Sequence, residues 1–190
     1  MPHMPQGLNL TLIRHAPVQG DGRIYGRRDL AADLAGSAQA LARLRDRLPD
    51  PGRLLTSPAR RCRETAVALW PDLQADPLAE AVEQDFGAWE GLAYADMPDL
   101  GVLDRAQLAA HQPPEGESFA MLCARVAAGL APLTGPVTLV AHAGTVRAAL
   151  ALALGSVPAG LAFEVVPLSV TRISFLAGGE GVVQEVNTCA

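Results

Sequence analysis

Leu8-Asn9-Leu10-Thr11-Leu12-Ile13-Arg14-His15 is a short apolar run closed by a guanidinium and an imidazole, and Val137-Thr138-Leu139-Val140-Ala141-His142 closes on a second imidazole. Both runs are β-like and each is followed by helix-compatible sequence. Open α/β sheets place their ligand sites beyond the carboxyl ends of parallel strands. Arg14, His15 and His142 are therefore expected to share one crevice. A lone histidine at a strand end is ordinarily structural; the company of Arg14 and His142 turns the reading toward chemistry. An imidazole is a nucleophile or proton carrier near neutrality, and a guanidinium offers planar donors to an oxyanion. Together they suggest phosphate chemistry.

Outward from the first run, a glycine-rich loop covers 17–28, and Asp33 is placed to cap a helix with the stripe Leu34, Ala38, Leu41, Leu44 and Leu48. Pro49, Pro51 and Gly52 end it, and Arg53 to Thr56 reads as a second strand. Ser57-Pro58 is read as an N-cap with proline at the first helical position. In the helix that follows, Cys62, Ala66 and Leu69 form the core stripe. Arg60, Arg63 and Glu64 point away, with Arg60 and Glu64 spaced as an exposed ion pair. Arg61 lies beside the stripe with Thr65. Helical side chains lean toward the N-terminus, so Arg61 can reach back toward the mouth of the preceding strand.

The middle of the chain, 71–114, has weak periodicity and reads as a cover over the site. Ser118 caps a helix striped by Phe119, Leu122, Cys123, Val126 and Leu130, and 132–136 breaks it. Val137 to Ala141 reads as a central strand, and 144–154 as a buried helix stopped by Gly155. Segments 169–176 and 182–187 flank Gly178-Gly179 as an edge hairpin. No internal repeat or linker interrupts the chain, so one domain over 1–190 is expected, of the α/β class.

With 190 residues, 49% hydrophobic and 18% charged, the chain is long enough for a sizeable core. A formal charge of -5 offers no global attraction to nucleic acid or an anionic membrane. A small anion is the better partner. Every basic residue counted is arginine, which excludes a Walker lysine, a Schiff-base lysine and the kinase strand lysine. Cys62, Cys123 and Cys189 are widely spaced and without a C-x-x-C pair, favouring free thiols in a cytoplasmic protein. The N-terminus lacks a signal-type apolar core, and no apolar run reaches the roughly 18 residues of a membrane span.

Glu80, Glu83, Asp85 and Glu90 surround Trp89, and spacing alone does not choose an acid among them. Asp85-Phe86-Gly87 matches the kinase D-F-G by accident, since lysine and H-R-D are missing. Gly20-Asp21-Gly22 with Gly26 misses the dinucleotide fingerprint and reads as a ligand-facing loop. His3 and His111 carry no chemical signal, and no H-E-x-x-H spacing calls for a metal; no cofactor is expected.

Taken in order, LTLIRHA, LLTSPARRCRETA, VEQDFGAWEG, EGES and LVAHAGTVRA resemble the histidine phosphatase, or phosphoglycerate mutase-like, superfamily. The resemblance implies a three-layer α/β/α sandwich with a mostly parallel central sheet. It implies that His15 becomes phosphorylated, that Arg14, Arg61 and His142 bind phosphate, and that Glu83 is the proton donor. Ala16 replaces the usual glycine, Pro17-Val18 a common Glu-Thr pair, and Glu64 a common glutamine. Tyr25-Gly26 followed by Asp29, with the short length, looks most like the alpha-ribazole phosphatase branch.

The activity so implied is metal-independent hydrolysis of a small phosphomonoester through phosphohistidine. A mutase returning the phosphoryl group to a second hydroxyl is the alternative within enzymes, and a non-catalytic phospholigand-binding module is the alternative outside them. One fixed phosphate site without a second basic cluster points to a monophosphate. Val18, Ile24, Tyr25, Trp89 and Tyr94 are expected to wall in a ring-bearing leaving group, with alpha-ribazole 5'-phosphate as the candidate. Oligomeric state is left open.

Overall fold

Period-two alternation along the first strand sorts its side chains to two faces, and the helices follow. The computed structural model describes residues 4–20 and 22–190; the readings that fall on His3 and Asp21 lie outside the described residues. In chain order the elements are β1 (Leu8–Arg14), α1 (Ala38–Arg47), β2 (Arg53–Thr56), α2 (Arg60–Leu69), β3 (Asp76–Pro77), α3 (Arg105–Ala110), α4 (Phe119–Leu130), β4 (Gly135–Ala141), α5 (Ala143–Ala153), α6 (Val157–Gly160), β5 (Val170–Phe175) and β6 (Gly181–Thr188). Strand order is β3-β2-β4-β1-β5-β6. The first four strands in sequence run parallel, and β5 is antiparallel to both β1 and β6.

Leu8, Leu10 and Leu12 of β1 and Val137, Leu139 and Ala141 of β4 pack against Phe119, Leu122 and Val126 of α4 and Val146 and Leu150 of α5. Ile13 and Val140 face the other way, onto Leu41 and Leu44 of α1 and Cys62, Ala66 and Leu69 of α2. The result is the three-layer sandwich. Each such buried aliphatic side chain is worth about 1.5–3 kcal/mol of transfer free energy, so truncating Leu139 at the sheet centre should cost about 2–5 kcal/mol. Because the helix after β1 lies on one face and the helix after β4 on the other, the neighbouring carboxyl ends of β1 and β4 open into a crevice.

Local chemistry departs from the sequence expectation at identifiable points. Asp33 Oδ1 accepts the Gly36 amide at 3.0 Å, closing a turn before the helix, so α1 begins only at Ala38. Ala38 is consequently exposed, while Leu41, Leu44 and Leu48 bury as the stripe requires. Ser57 does not cap α2, whose N-cap is Ala59; its hydroxyl is drawn instead to His142. Ser118 does cap α4, accepting from Met121 N at 3.2 Å. Gly155, at φ +63, follows α5 in the left-handed conformation that closes a helix. In the terminal hairpin β6 is the edge strand and β5 is interior. The weakly periodic middle contains α3, opened by an Asp104/Gln107 capping box, and single turns at Ala79–Ala81, Gly87–Trp89 and Tyr94–Asp96. No helix among the described residues is long and apolar enough to cross a membrane.

Candidate active site

Arg14 and Ala141 are register partners on β1 and β4, so the residues after them, His15 and His142, leave the sheet side by side. The His15 amide donates to the Ala141 carbonyl at 2.9 Å, and the two ring centroids are 5.2 Å apart, nearly edge to face. Strand parity decides where each side chain goes. His15 continues the Ile13 face and His142 the Val140 face, both toward α2, whereas Arg14 continues the Leu12 face toward α5.

The ring of His15 is fixed by its own backbone: Nδ1 donates to the Ala16 carbonyl at 2.6 Å. That tautomer leaves the Nε2 lone pair directed away from the chain, where Arg61 Nε donates to it at 3.2 Å. Burial pushes the His15 pKa down to about 3, the nearby Arg61 and Arg14 charges add to the effect, and the bond to Ala16 opposes it. His142 is fully buried; its Nδ1 accepts from Arg61 Nη2 at 3.1 Å and its Nε2 donates to Ser57 Oγ at 2.8 Å. Burial likewise holds its pKa well below the ordinary histidine value. Both imidazoles are therefore neutral in the folded protein at neutral pH.

Arg61 is 1% exposed, while Arg60 and Arg63 are exposed and Arg60 Nε donates to Glu64 Oε1 at 2.6 Å, as helical phase requires. Besides the two histidines, Arg61 donates to the Arg28 and Gly26 carbonyls, each at 2.8 Å. Among the described residues no carboxylate pairs with it. A buried cation held only by neutral acceptors is an electrostatic deficit that a bound anion relieves. Thr65 Oγ1 donates to the Arg61 carbonyl at 2.7 Å and accepts the Ala16 amide at 3.0 Å, tying the turn after His15 to α2. Ala16 itself is buried among the α1 and α2 side chains without a positive φ, so its replacement of glycine is accommodated without strain.

Of the four acidic candidates, Glu83 is the one that lines the crevice. Asp85 Oδ1 accepts the Gly87 amide at 2.9 Å, and Glu90 accepts the Arg27 amide at 2.7 Å, so both organise loops. Glu80 packs on Gly129. The Glu83 carboxylate accepts the Gln84 amide at 2.9 Å and the Gly144 amide at 3.3 Å. A β-carbon at position 144 would collide with Glu83 Oε1, so only glycine lets the carboxylate rest at the start of α5. The Gly144 amide, at the start of α5, is thus engaged by Glu83.

Arg125 was not singled out in the sequence, yet it builds this wall. From α4 its guanidinium reaches the Val82 carbonyl at 3.0 Å and the Glu83 carbonyl at 3.4 Å, and it forks onto the Glu117 carboxylate at 3.0 and 2.7 Å. Glu117 belongs to the EGES block, and Ser118 beside it caps the same helix. The signal was present in that block, but only the fold brings it to residues 80–83.

The crevice has a volume of about 660 Å³. Arg14, His15, Arg61 and Glu83 form its floor, and the loops 17–25, 84–97 and 161–167 contribute walls. Both tyrosines of the chain line it, Tyr25 and Tyr94, together with Phe86, Phe119, Val18 and Ile24. Trp89 does not, contrary to the sequence expectation: it is buried and stacks on His111 at 5.4 Å. The sequence displayed no second basic cluster, but Arg23 and Arg147 line the same crevice as Arg14 and Arg61.

The profile of the histidine phosphatase superfamily (branch 1) matches residues 10–188. The bifunctional protein Rv2228c of Mycobacterium tuberculosis is 31% identical over 94% of this chain, and the chain spans about half the length of that relative, 53%. The protein TTHB049 of Thermus thermophilus is 30% identical with a TM-score of 0.75, covering 94% of this chain and 99% of that one. A putative alpha-ribazole-5'-P phosphatase of Escherichia coli K-12 shares the fold at a TM-score of 0.80 and 23% identity, over 96% and 97% of the two chains. With five motif blocks in order, four of them contributing residues to the lining of one crevice, and a family profile matching residues 10–188, the chain belongs to the histidine phosphatase superfamily, branch 1.

Proposed function

We propose that this protein is a phosphomonoester hydrolase that acts through a phosphohistidine on His15. The observation that carries the reading is the His15 ring: Nδ1 committed to the Ala16 carbonyl, with the Nε2 lone pair beside a buried, anion-deficient Arg61. Nε2 attacks phosphorus and the bond to the leaving oxygen breaks, with Glu83 delivering a proton to that oxygen. Water then attacks the phosphohistidine, Glu83 accepts its proton, and inorganic phosphate leaves with His15 restored. Arg14 and Arg61 bind the equatorial oxygens, and His142, with Nε2–H given to Ser57 and Nδ1 accepting from Arg61, acts at the phosphate site by holding that guanidinium in place. General acid catalysis contributes about 10²- to 10⁴-fold, and preorganised donors aimed at the transferring group supply a further large share. The neutralising charges are side chains of the chain itself, so the proposed reaction is metal-independent.

Tyr25, Tyr94, Phe86 and Phe119 favour a ring-bearing leaving group. Alpha-ribazole 5'-phosphate, named for the Escherichia coli neighbour and suggested by Tyr25-Gly26 with Asp29, is the candidate substrate; free thiols at all three cysteines suit a cytoplasmic setting. The test is hydrolysis of p-nitrophenyl phosphate in excess EDTA with rapid-quench detection of an acid-labile phosphoenzyme. Turnover with labelling that disappears in His15→Ala supports the reading. Labelling that survives this substitution, or activity that needs a divalent ion, overturns it. Phosphoryl return to a second substrate hydroxyl would instead identify the mutase.

A further inference from the structure

Arg147, like Arg23, is a basic group in the crevice to which the proposed reaction gives no task. It lies on α5, one turn beyond Gly144, where the Glu83 carboxylate rests. Helical side chains lean toward the N-terminus, so its guanidinium points back to the level of Glu83. Nε is anchored on the Phe163 carbonyl at 2.9 Å, two residues before the Val165 carbonyl that takes Arg14 Nη1 at 2.6 Å. One short segment thus holds both guanidiniums. Among the described residues no carboxylate pairs with Arg147. Its wall neighbours Phe119, Leu161 and Val165 are apolar, which strengthens an ionic contact there.

The role of Glu83 places the leaving oxygen beside that carboxylate, and Arg147 is the next cation along the same helix. We infer that Arg147 is an anion subsite on the leaving-group side, so that phosphomonoesters whose leaving group also carries a carboxylate or another phosphate are preferred over a monoester such as alpha-ribazole 5'-phosphate, whose leaving group has no second anion. The inference rests on the assignment of the phosphoryl group to Arg14, His15 and Arg61. Charge favours it: Arg14, Arg61 and Arg147 together exceed what a phosphate dianion neutralises, and Glu83 lies on the proton-transfer path.

The test uses binding and does not depend on turnover. Phenylphosphonate and 3-carboxyphenylphosphonate differ only in the second anion. Calorimetry on the wild-type protein should show the carboxylated ligand binding roughly tenfold or more tighter, the gain of one charge-assisted contact. In R147M the ratio of the two Kd values should fall to about one, and R147K should keep part of it as a point charge. A ratio near one in the wild type, or an unchanged ratio in R147M, overturns the subsite. A variant that fails to fold is replaced by R147K against R147Q, read on the same ratio. Hydrolysis of phenyl phosphate by the wild type reports separately on the phosphatase reading. Second-anion selectivity without turnover would leave the subsite standing and refute only the hydrolase.

Discussion

Arg61 Nε donates to His15 Nε2 at 3.2 Å, so the nitrogen proposed to attack phosphorus shares its lone pair with a cation. A phosphoryl oxygen is the better acceptor for that guanidinium. Binding therefore both occupies Arg61 and frees the lone pair. Arg61→Ala should raise KM and lower kcat with every phosphomonoester, since charge-assisted contacts of about 1.5–3 kcal/mol each are lost. Arg60→Ala and Arg63→Ala, on the exposed face of α2, should stay within about twofold. Steady-state kinetics on the three variants checks this, and a critical Arg60 would contradict the placement.

The depressed histidines make stability pH-dependent in a defined direction. The pKa of His15 is about 3 in the folded protein and that of His142 is well below its ordinary value, whereas both return to about 6.5 on unfolding. The unfolded chain thus binds more protons below pH 6.5. The stability associated with the neutral rings is complete above that pH and is lost as pH falls below it, for His15 down to its folded value of about 3, at up to about 1.4 kcal/mol per pH unit for each histidine. Urea unfolding between pH 7.5 and 5 should show the decline, and His15→Gln should shallow it. Identical slopes in the two proteins would remove His15 from the account.

Glu83→Gln should cost most with poor leaving groups, such as alkyl phosphates, and least with nitrophenyl phosphate, whose leaving group needs little protonation. Gly144→Ala should imitate this pattern by displacing the carboxylate, because the added methyl occupies the space of Glu83 Oε1. Equal losses on both substrate classes would point to a different acid.

Arg125→Met removes the fork to Glu117 and the bonds to the Val82 and Glu83 carbonyls. Breaking such a half-buried pair should destabilise the protein by about 3 kcal/mol or less. It should also lower kcat more than it raises KM, by loosening residues 80–83. Thermal melts and kinetics separate the two effects, and stability loss without a change in kcat would make the clamp purely structural.

Much of the site was legible because it follows local periods. Strand parity carries His15 and His142 to one face, and helical phase separates Arg61 from Arg60 and Arg63. Asp33 and Ser57 misled the helix starts because their hydrogen bonds go to a preceding turn and to a residue 85 positions away. Arg125 and Arg147 were not legible as site residues. Each sits on an ordinary helix, and its role depends on which carbonyls of another segment the fold presents to it. Trp89 illustrates the same limit, since an aromatic residue near a motif turned away from the crevice to stack on His111.

The division of the crevice between strand ends and loops separates two kinds of evolutionary freedom. His15, Arg61 and His142 are held by β1, β4 and α2, where a shift in one element propagates through the packed sheet. Tyr25, Tyr94, Val165 and Pro167 lie on connecting segments that can change length without disturbing strand register. Exchanging 84–97 or 161–167 with those of a relative should therefore redirect substrate choice while the reaction proposed at His15 persists.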